Sequence, residues 1–352
     1  MSIPPTATDL VIGLTPRRRS ATVRQTIQPR EAMLVRLLVA SLLVIAALPA
    51  HAQSFPSRPL HLIVAYAPGG TGDVVARIIA DKLGPALGQT VVVENRSGAS
   101  GAIGATAVVN APPDGHTLLV GQTAEITVNQ YWIKGLTYDP KDLQPVALAT
   151  VVPLALTIPG KAPYASMAEF FKAMKDSGKQ FSFASAGTGT PGHLAGEYLS
   201  AKLPGKLVHV PYKGAGPALN DIIGGHVDMY FPGFPPVMPM MKAGTVKVLA
   251  VSSAKRADAA PDIPTVAEAT GFADFDFSLW QGFFAPKGTP KEVIARLNAE
   301  INKILAQPET RQKLTDAGAN VVPQSTEQFA AFVAAESAKY ERIIRETGVK
   351  PD

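Results

Sequence analysis

The sequence predicts a two-lobed α/β protein with a mixed, mainly parallel sheet in each lobe. Three observations carry that expectation. Short apolar or β-branched runs alternate with segments of helical spacing, the pattern that builds parallel sheets through right-handed crossovers. The alternation stops and begins again after residue 150. The C-terminal helices have no strands of their own and need a sheet to cover.

In chain order, Leu60–Ala65 is a short apolar strand, Asp73–Leu83 a helix and Thr90–Glu94 a β-branched strand. Ala102–Asn110 follows as a helix, then Thr117–Val120 with Gly121 as a third strand. The second unit opens on a strand at Leu154–Ile158 and a helix at Met167–Lys175. It continues with strand Phe181–Ala184, helix Leu194–Leu203, strand Leu207–Val210 and helix Ala218–Ile223, then strands Val227–Phe231 and Val246–Val251. Phe283–Ala285 leads into helices near Pro290–Ala306, Pro308–Ala317 and Thr326–Thr347. If these cover the first sheet, lobe 1 is discontinuous, 53–150 plus 282–352, and lobe 2 is 151–281. Chain crossings near 146–158 and 275–285 then form a hinge beside a cleft.

At 352 residues and 46% hydrophobic, the chain is long enough for two domains with real cores. Its net charge of +5 is mostly located in residues 1–52, where six arginines stand against Asp9 and Glu31 and account for +4. The remainder is near +1, so the basic balance belongs to the leader and excludes a nucleic-acid arm. The absence of cysteine excludes disulfides, thiolate nucleophiles and cysteine-ligated zinc. Leu37–Leu48 is an apolar run that follows Arg36 and precedes Pro49-Ala50-His51-Ala52. It is shorter than the roughly 20 residues a bilayer span needs. It reads instead as a secretory signal cleaved after Ala52, with Met33 a possible alternative start.

In open α/β sheets ligands sit beyond the carboxyl ends of the strands, where loops open into helix N-termini. Small-residue loops stand at several such places: 66–73, 95–101, 185–193 and 212–216. Glycine lets backbone N–H groups approach an anion, and each helix start carries unpaired donors. Gly187-Thr188-Gly189-Thr190-Pro191-Gly192 matches G-x-G-x-x-G, but no acid stands at the end of the following strand, about 20 residues on. A nicotinamide cofactor is therefore not expected. No phosphate loop, nucleophile elbow or paired-histidine metal motif is present, so neither catalysis nor a metal is expected. His193 reads either as a loop brace or as a ligand contact, and Asp73 as a helix cap or a cleft residue. Arg96 is placed to pair with Glu94. Trp280 and Phe231 are either core or cleft wall.

The segments YAPGGTGDVVARIIADKL, LGQTVVVENRSGASGAIGA, APPDGHTLLVG, ASAGTGTPGHLAGE, VPYKGAGPALNDIIGGHVD, LAVSSAKR and PDIPTVAEATG occur in the order expected of tripartite tricarboxylate transporter receptors, also called Bug proteins. The chain resembles that family over 55–352. The resemblance implies a periplasmic-binding-protein (Venus flytrap, type II-like) fold and a periplasmic solute receptor. Such a receptor would bind a di- or tricarboxylate, an amino acid or an aromatic acid, and deliver it to a membrane permease or a sensor protein. It also implies that loops 66–73 and 185–193 pinch the carboxylate. The expected ligand contacts are Tyr66, Gly69, Gly70, Thr71 and Asp73 in the first loop, and Ser100 and Thr123 after the next two strands. In lobe 2 they are Ser185, Gly187, Thr188, Gly189, Thr190, His193 and Phe231. Glu125 would repel a second carboxylate if it faced the cleft. The expected working form is a monomer with no nucleic-acid partner.

Overall fold

The computed structural model describes residues 55–203 and 207–347, together with Met33. The signal peptide and cleavage site expected in 1–52 otherwise lie outside the described residues.

Two mixed sheets organise the chain. In the first, β1 (Leu60–Val64), β2 (Val91–Asn95) and β3 (Thr117–Gln122) are parallel, with β1 in the middle. β10 (Ser278–Pro286) pairs antiparallel with β3, β4 (Leu143–Pro153) with β10, and β11 (Asn320–Val321) with β4. In the second sheet β6 (Ser182–Ser185) is the centre of a parallel trio with β7 (Val208–Pro211) and β8 (Met229–Tyr230). β5 (Ala155–Pro159) runs antiparallel to β8, and β9 (Val246–Val251) antiparallel to β5.

Helices α1 (Thr71–Leu87), α2 (Ala102–Val109) and α3 (Asn129–Trp132) belong to the first half of the chain. Then come α4 (Met167–Asp176), α5 (Pro191–Lys202), α6 (Ala215–Gly224), α7 (Phe234–Lys242) and α8 (Val266–Thr270). Last are α9 (Lys291–Ala306), α10 (Pro308–Asp316) and α11 (Thr326–Thr347). Alternation along β1 sends Leu60, Leu62 and Val64 into one core with Ile79 of α1 and Leu297 of α9. Ile63 points the other way, into a core with Ala105 of α2 and Phe329 of α11. Among the described residues no helix is long and apolar enough to cross a membrane.

β4, β11, α3, α7 and α8 stand outside the sequence expectation, and two of them have a clear physical reason. β4 carries no strand signal by alternation because both its faces are buried, one in the core with Leu297 of α9 and the other in the core with Phe329 of α11, so its apolar run is nearly continuous. α7 contains Pro235, Pro236 and Pro239, which read as loop. Two of these prolines fall in the first turn, where a missing N–H costs the helix nothing.

β4 passes into β5 across Leu154, and the chain returns from β9 to β10 across 252–277. Ser252 ties the two crossings together. Its hydroxyl accepts from Leu154 N at 2.8 Å and donates to Phe277 O, while Ser252 N donates to Leu154 O at 2.9 Å. α11 also bridges the sheets. Phe329 near its start packs in the first-sheet core, whereas Tyr340 packs with Phe275 and Phe277 of the second. The C-terminal helix therefore does not cover the first lobe alone, because its apolar stripe continues to residues that meet lobe 2.

Candidate functional site

The starts of α1, α5, α6 and α7 meet at one cavity of about 510 Å³, its mouth included. Gly70–Asp73, Thr190–Gly192, Ala215 and Gly233 line it, with Gln122 from the end of β3. None of the four helices has a side-chain N-cap, so the first-turn N–H groups are unspent by capping. Proline sets how many donors each start offers. Pro191 removes one from α5, and Pro235 with Pro236 leaves α7 only Phe234 N. α1 keeps the amides of Thr71, Gly72 and Asp73. Glycine is needed where backbones crowd the cavity. A Cβ on Gly192 would stand 2.5 Å from Phe231 O, and one on Gly233 would stand 2.3 Å from Thr71 Oγ1.

Thr71 is 2% exposed, and its hydroxyl has no hydrogen-bond partner. A buried, unsatisfied hydroxyl costs about 1–3 kcal/mol, which makes it a ready donor for an anion at the α1 start. Gly70 lines the cavity beside it. Gly69 does not: its amide donates to Asp73 Oδ2 at 3.0 Å. The other Asp73 oxygen accepts from Arg77 and from Asn95 Nδ2. Burial acts to raise the Asp73 carboxyl, but the bonds from Arg77, Gly69 and Asn95 outweigh it and hold the group below the usual range. Asp73 is thus an ionised brace for the loop at the cavity wall, with both oxygens committed.

The second-lobe loop divides between two cavities. Gly187 and Thr188 line a neighbouring cavity with Lys213, which shares the walls Tyr66 and Ala186 with the first. The Gly187 amide donates to Ser185 Oγ, and Ser185 itself is buried against His209 Nε2 at 2.7 Å. The Gly189 amide donates to His193 Nδ1 at 3.1 Å. The Thr190 hydroxyl lines the main cavity but donates to Gly187 O at 2.7 Å. His193 stacks near His209, 4.1 Å between centroids, and burial followed by that neighbour lowers it to about 3. It is a neutral brace for the loop. Ser185 Oγ, the Gly189 amide and His193 Nδ1 are thus engaged in bonds within the lobe.

Ser100 reaches across the cleft, donating to Thr188 O at 2.5 Å. It is a contact between the lobes, set by the left-handed backbone of Ala99 (φ 46°) and Ser100 (φ 50°). Tyr66 lines both cavities, and its hydroxyl donates to Glu125 Oε2 at 2.8 Å. Glu125 is fully buried, lines neither cavity, and is pushed up to about 8 by burial. Burial thus favours its protonated form. Thr123 is buried behind the cavity, its hydroxyl accepting from Trp280 N at 3.4 Å. Phe231 forms cavity wall, whereas Trp280 is core, packed against Phe284, Phe329 and Phe332. Arg96 pairs with Glu94 at 2.9 Å.

Sequence reasoning missed Gln122, Tyr230, Gly233 and the paired leucines Leu154 and Leu279 as cavity walls. Gln122 had a signal, since it stands where β3 ends beyond the predicted strand. Gly233 had none, because α7 was hidden by its prolines. Among the described residues no group of acidic or histidine side chains is placed to hold a metal.

Residues 75–349 match the model of the tripartite tricarboxylate transporter family receptor. BugT of Bordetella pertussis is 35% identical over 306 residues, covering 86% of this chain and 94% of BugT. The structure of Rpa4515 of R. palustris with adipate is 32% identical with a TM-score of 0.81, over 85% of this chain and all of that one. MatC of Rhodopseudomonas palustris with bound malate is 34% identical with a TM-score of 0.77, over 82% of this chain and all of that one. The chain belongs to the tripartite tricarboxylate transporter receptor family, whose members are periplasmic solute-binding proteins and not enzymes.

Proposed function

We propose that this chain captures a small carboxylate in the cavity at the four helix starts and delivers it to a membrane permease. The observation that carries the reading is the Thr71 hydroxyl, buried and unpartnered where α1, α6 and α7 converge. Each helix start contributes roughly half a positive charge and free N–H groups, so an anion is held without an arginine or lysine. Donors come from both lobes, so only the closed form completes the set, and binding favours closure. Two structural relatives hold malate and adipate, which supports a carboxylate ligand here. The mature chain begins after Ala52, as N-terminal sequencing of periplasmic extract would test.

The test is calorimetric titration of Thr71→Val with the acid that most raises the melting temperature in a carboxylate screen. Loss of a hydroxyl against a charged oxygen costs roughly 1.5–3 kcal/mol, ten- to a hundredfold in affinity. The ligand-free variant should be at least as stable as wild type, because the isosteric change deletes an unsatisfied polar atom. Unchanged affinity would place the carboxylate elsewhere. Delivery predicts that deleting the gene abolishes uptake of that acid.

A further inference from the structure

We propose that Glu125 is a positioning residue that carries a proton. As a neutral acid it donates to Tyr66, which frees the Tyr66 hydroxyl to hold the Ser100 carbonyl. Ser100 in turn makes the contact across the cleft to Thr188 O. This rests on the carboxylate reading above and adds its regulation by pH. Glu125 lies on a single π-turn, Ala124–Val128, a distortion that recurs at functional sites.

Tyr66 has one hydroxyl proton and two partners, Glu125 Oε2 at 2.8 Å and Ser100 O at 3.2 Å. It serves both fully only by accepting from one of them, and a carbonyl has nothing to donate. That leaves Glu125 as the donor, through Oε2, because Oε1 accepts from Gln122 N at 2.7 Å. Gly101 closes the other side of Oε2, since even a Cβ there would stand 2.8 Å from it. Among the described residues that face Glu125 none is a cation, and burial lifts its carboxyl to about 8. Tyr138 donates to the Glu125 carbonyl, and Tyr230 of β8 faces Tyr66. Burial pushes all three tyrosines up, so they stay neutral where Glu125 titrates. α11 meets the π-turn through Phe329 and Phe332, packed with Ile126, and its Glu336 pairs with Lys339. Asp142, from the short turn also packed there, pairs with Lys287.

The Ser100 carbonyl accepts from Asn129 Nδ2 as well, at 2.9 Å, so with Tyr66 both its lone pairs are used. These two bonds clamp the left-handed turn that aims Ser100 Oγ at Thr188 O. An ionised Glu125 claims the Tyr66 proton for itself, and the turn keeps one clamp of two.

The test combines two measurements on wild type, Glu125→Gln and Tyr66→Phe. The first is the infrared band of a protonated carboxyl in the ligand-free protein. It should be present at about pH 7 and absent at about pH 9, missing in Glu125→Gln, and shifted to higher frequency in Tyr66→Phe, where the acid loses its acceptor. The second is stopped-flow release of whichever of malate, citrate, adipate and benzoate binds tightest. Release from wild type should quicken about fivefold over the same range, the equivalent of one neutral hydrogen bond. Glu125→Gln, whose amide still donates to Tyr66, should abolish that rise, and Tyr66→Phe should release fast at both pH values. A missing band at about pH 7 overturns the proton on Glu125. A band accompanied by release that ignores pH in wild type, or that rises equally in both variants, overturns its link to the cleft contact. Failure of all four acids to bind the folded protein would sink the carboxylate reading, while the band still decides whether Glu125 donates to Tyr66.

Discussion

Glu125 illustrates how single residues around the cleft depart from their sequence appearance. It sits wholly buried, accepting from Gln122 N at 2.7 Å and from Tyr66, and burial lifts its carboxyl from the ordinary 4.5 to about 8. The folded state then binds a proton more tightly than the unfolded one. Its contribution to stability is full below about pH 4.5 and is lost as pH rises toward 8. His193 acts in the opposite sense: lowered from 6.5 to about 3, it costs stability as pH falls through that range. Melting temperature measured against pH should therefore decline less between pH 6.5 and 8 in Glu125→Gln than in wild type. Equal slopes would mean that Glu125 is ionised when folded. At this scale the sequence shows where small, donor-rich loops stand, but not which donors are free. Gly69 and Gly189 look identical to ligand-binding glycines until their amides are found committed to Asp73 and His193.

Between elements, the loop from β2 to α2 makes a latch. Ala99 and Ser100 both hold left-handed backbone, a conformation that costs a residue with a side chain of order 1 kcal/mol or more. Ser100 O accepts from Asn129 Nδ2 at 2.9 Å, which helps fix the turn and aims Oγ at Thr188 O across the cleft. Gly187 gives way to it, since a Cβ there would stand 2.8 Å from Ser100 Oγ. One neutral hydrogen bond of about 1 kcal/mol corresponds to roughly fivefold in affinity. Ser100→Ala should weaken ligand binding by about that factor through faster release, with the association rate unchanged, as stopped-flow fluorescence would read. A slower association rate with unchanged release would contradict a latch that acts after encounter. Strands with clean alternation and helices with clean period were legible in the sequence, β9 and α11 to the residue. β4 and α7 were not, because burial on both faces erases alternation and first-turn prolines imitate a loop.

For the whole molecule, two sheets joined at Ser252 and bridged by α11 bring the four helix starts to one cavity. The ordered motifs made the family and its two-lobed architecture legible before any coordinate. The contacts across the cleft were not, since Ser100 with Thr188 and Ala67 N with Lys213 O join residues 88 and 146 positions apart. The proposed function stands on an anion held by neutral donors at the α1, α6 and α7 starts. The most direct measurement is a crystal structure with the tightest-binding acid from the carboxylate screen. A carboxylate oxygen should lie within about 2.5–3.2 Å of Thr71 Oγ1 and of first-turn amides of α1. A carboxylate seated instead on Lys213 beyond Tyr66, with the Thr71 hydroxyl still unpartnered, would contradict it.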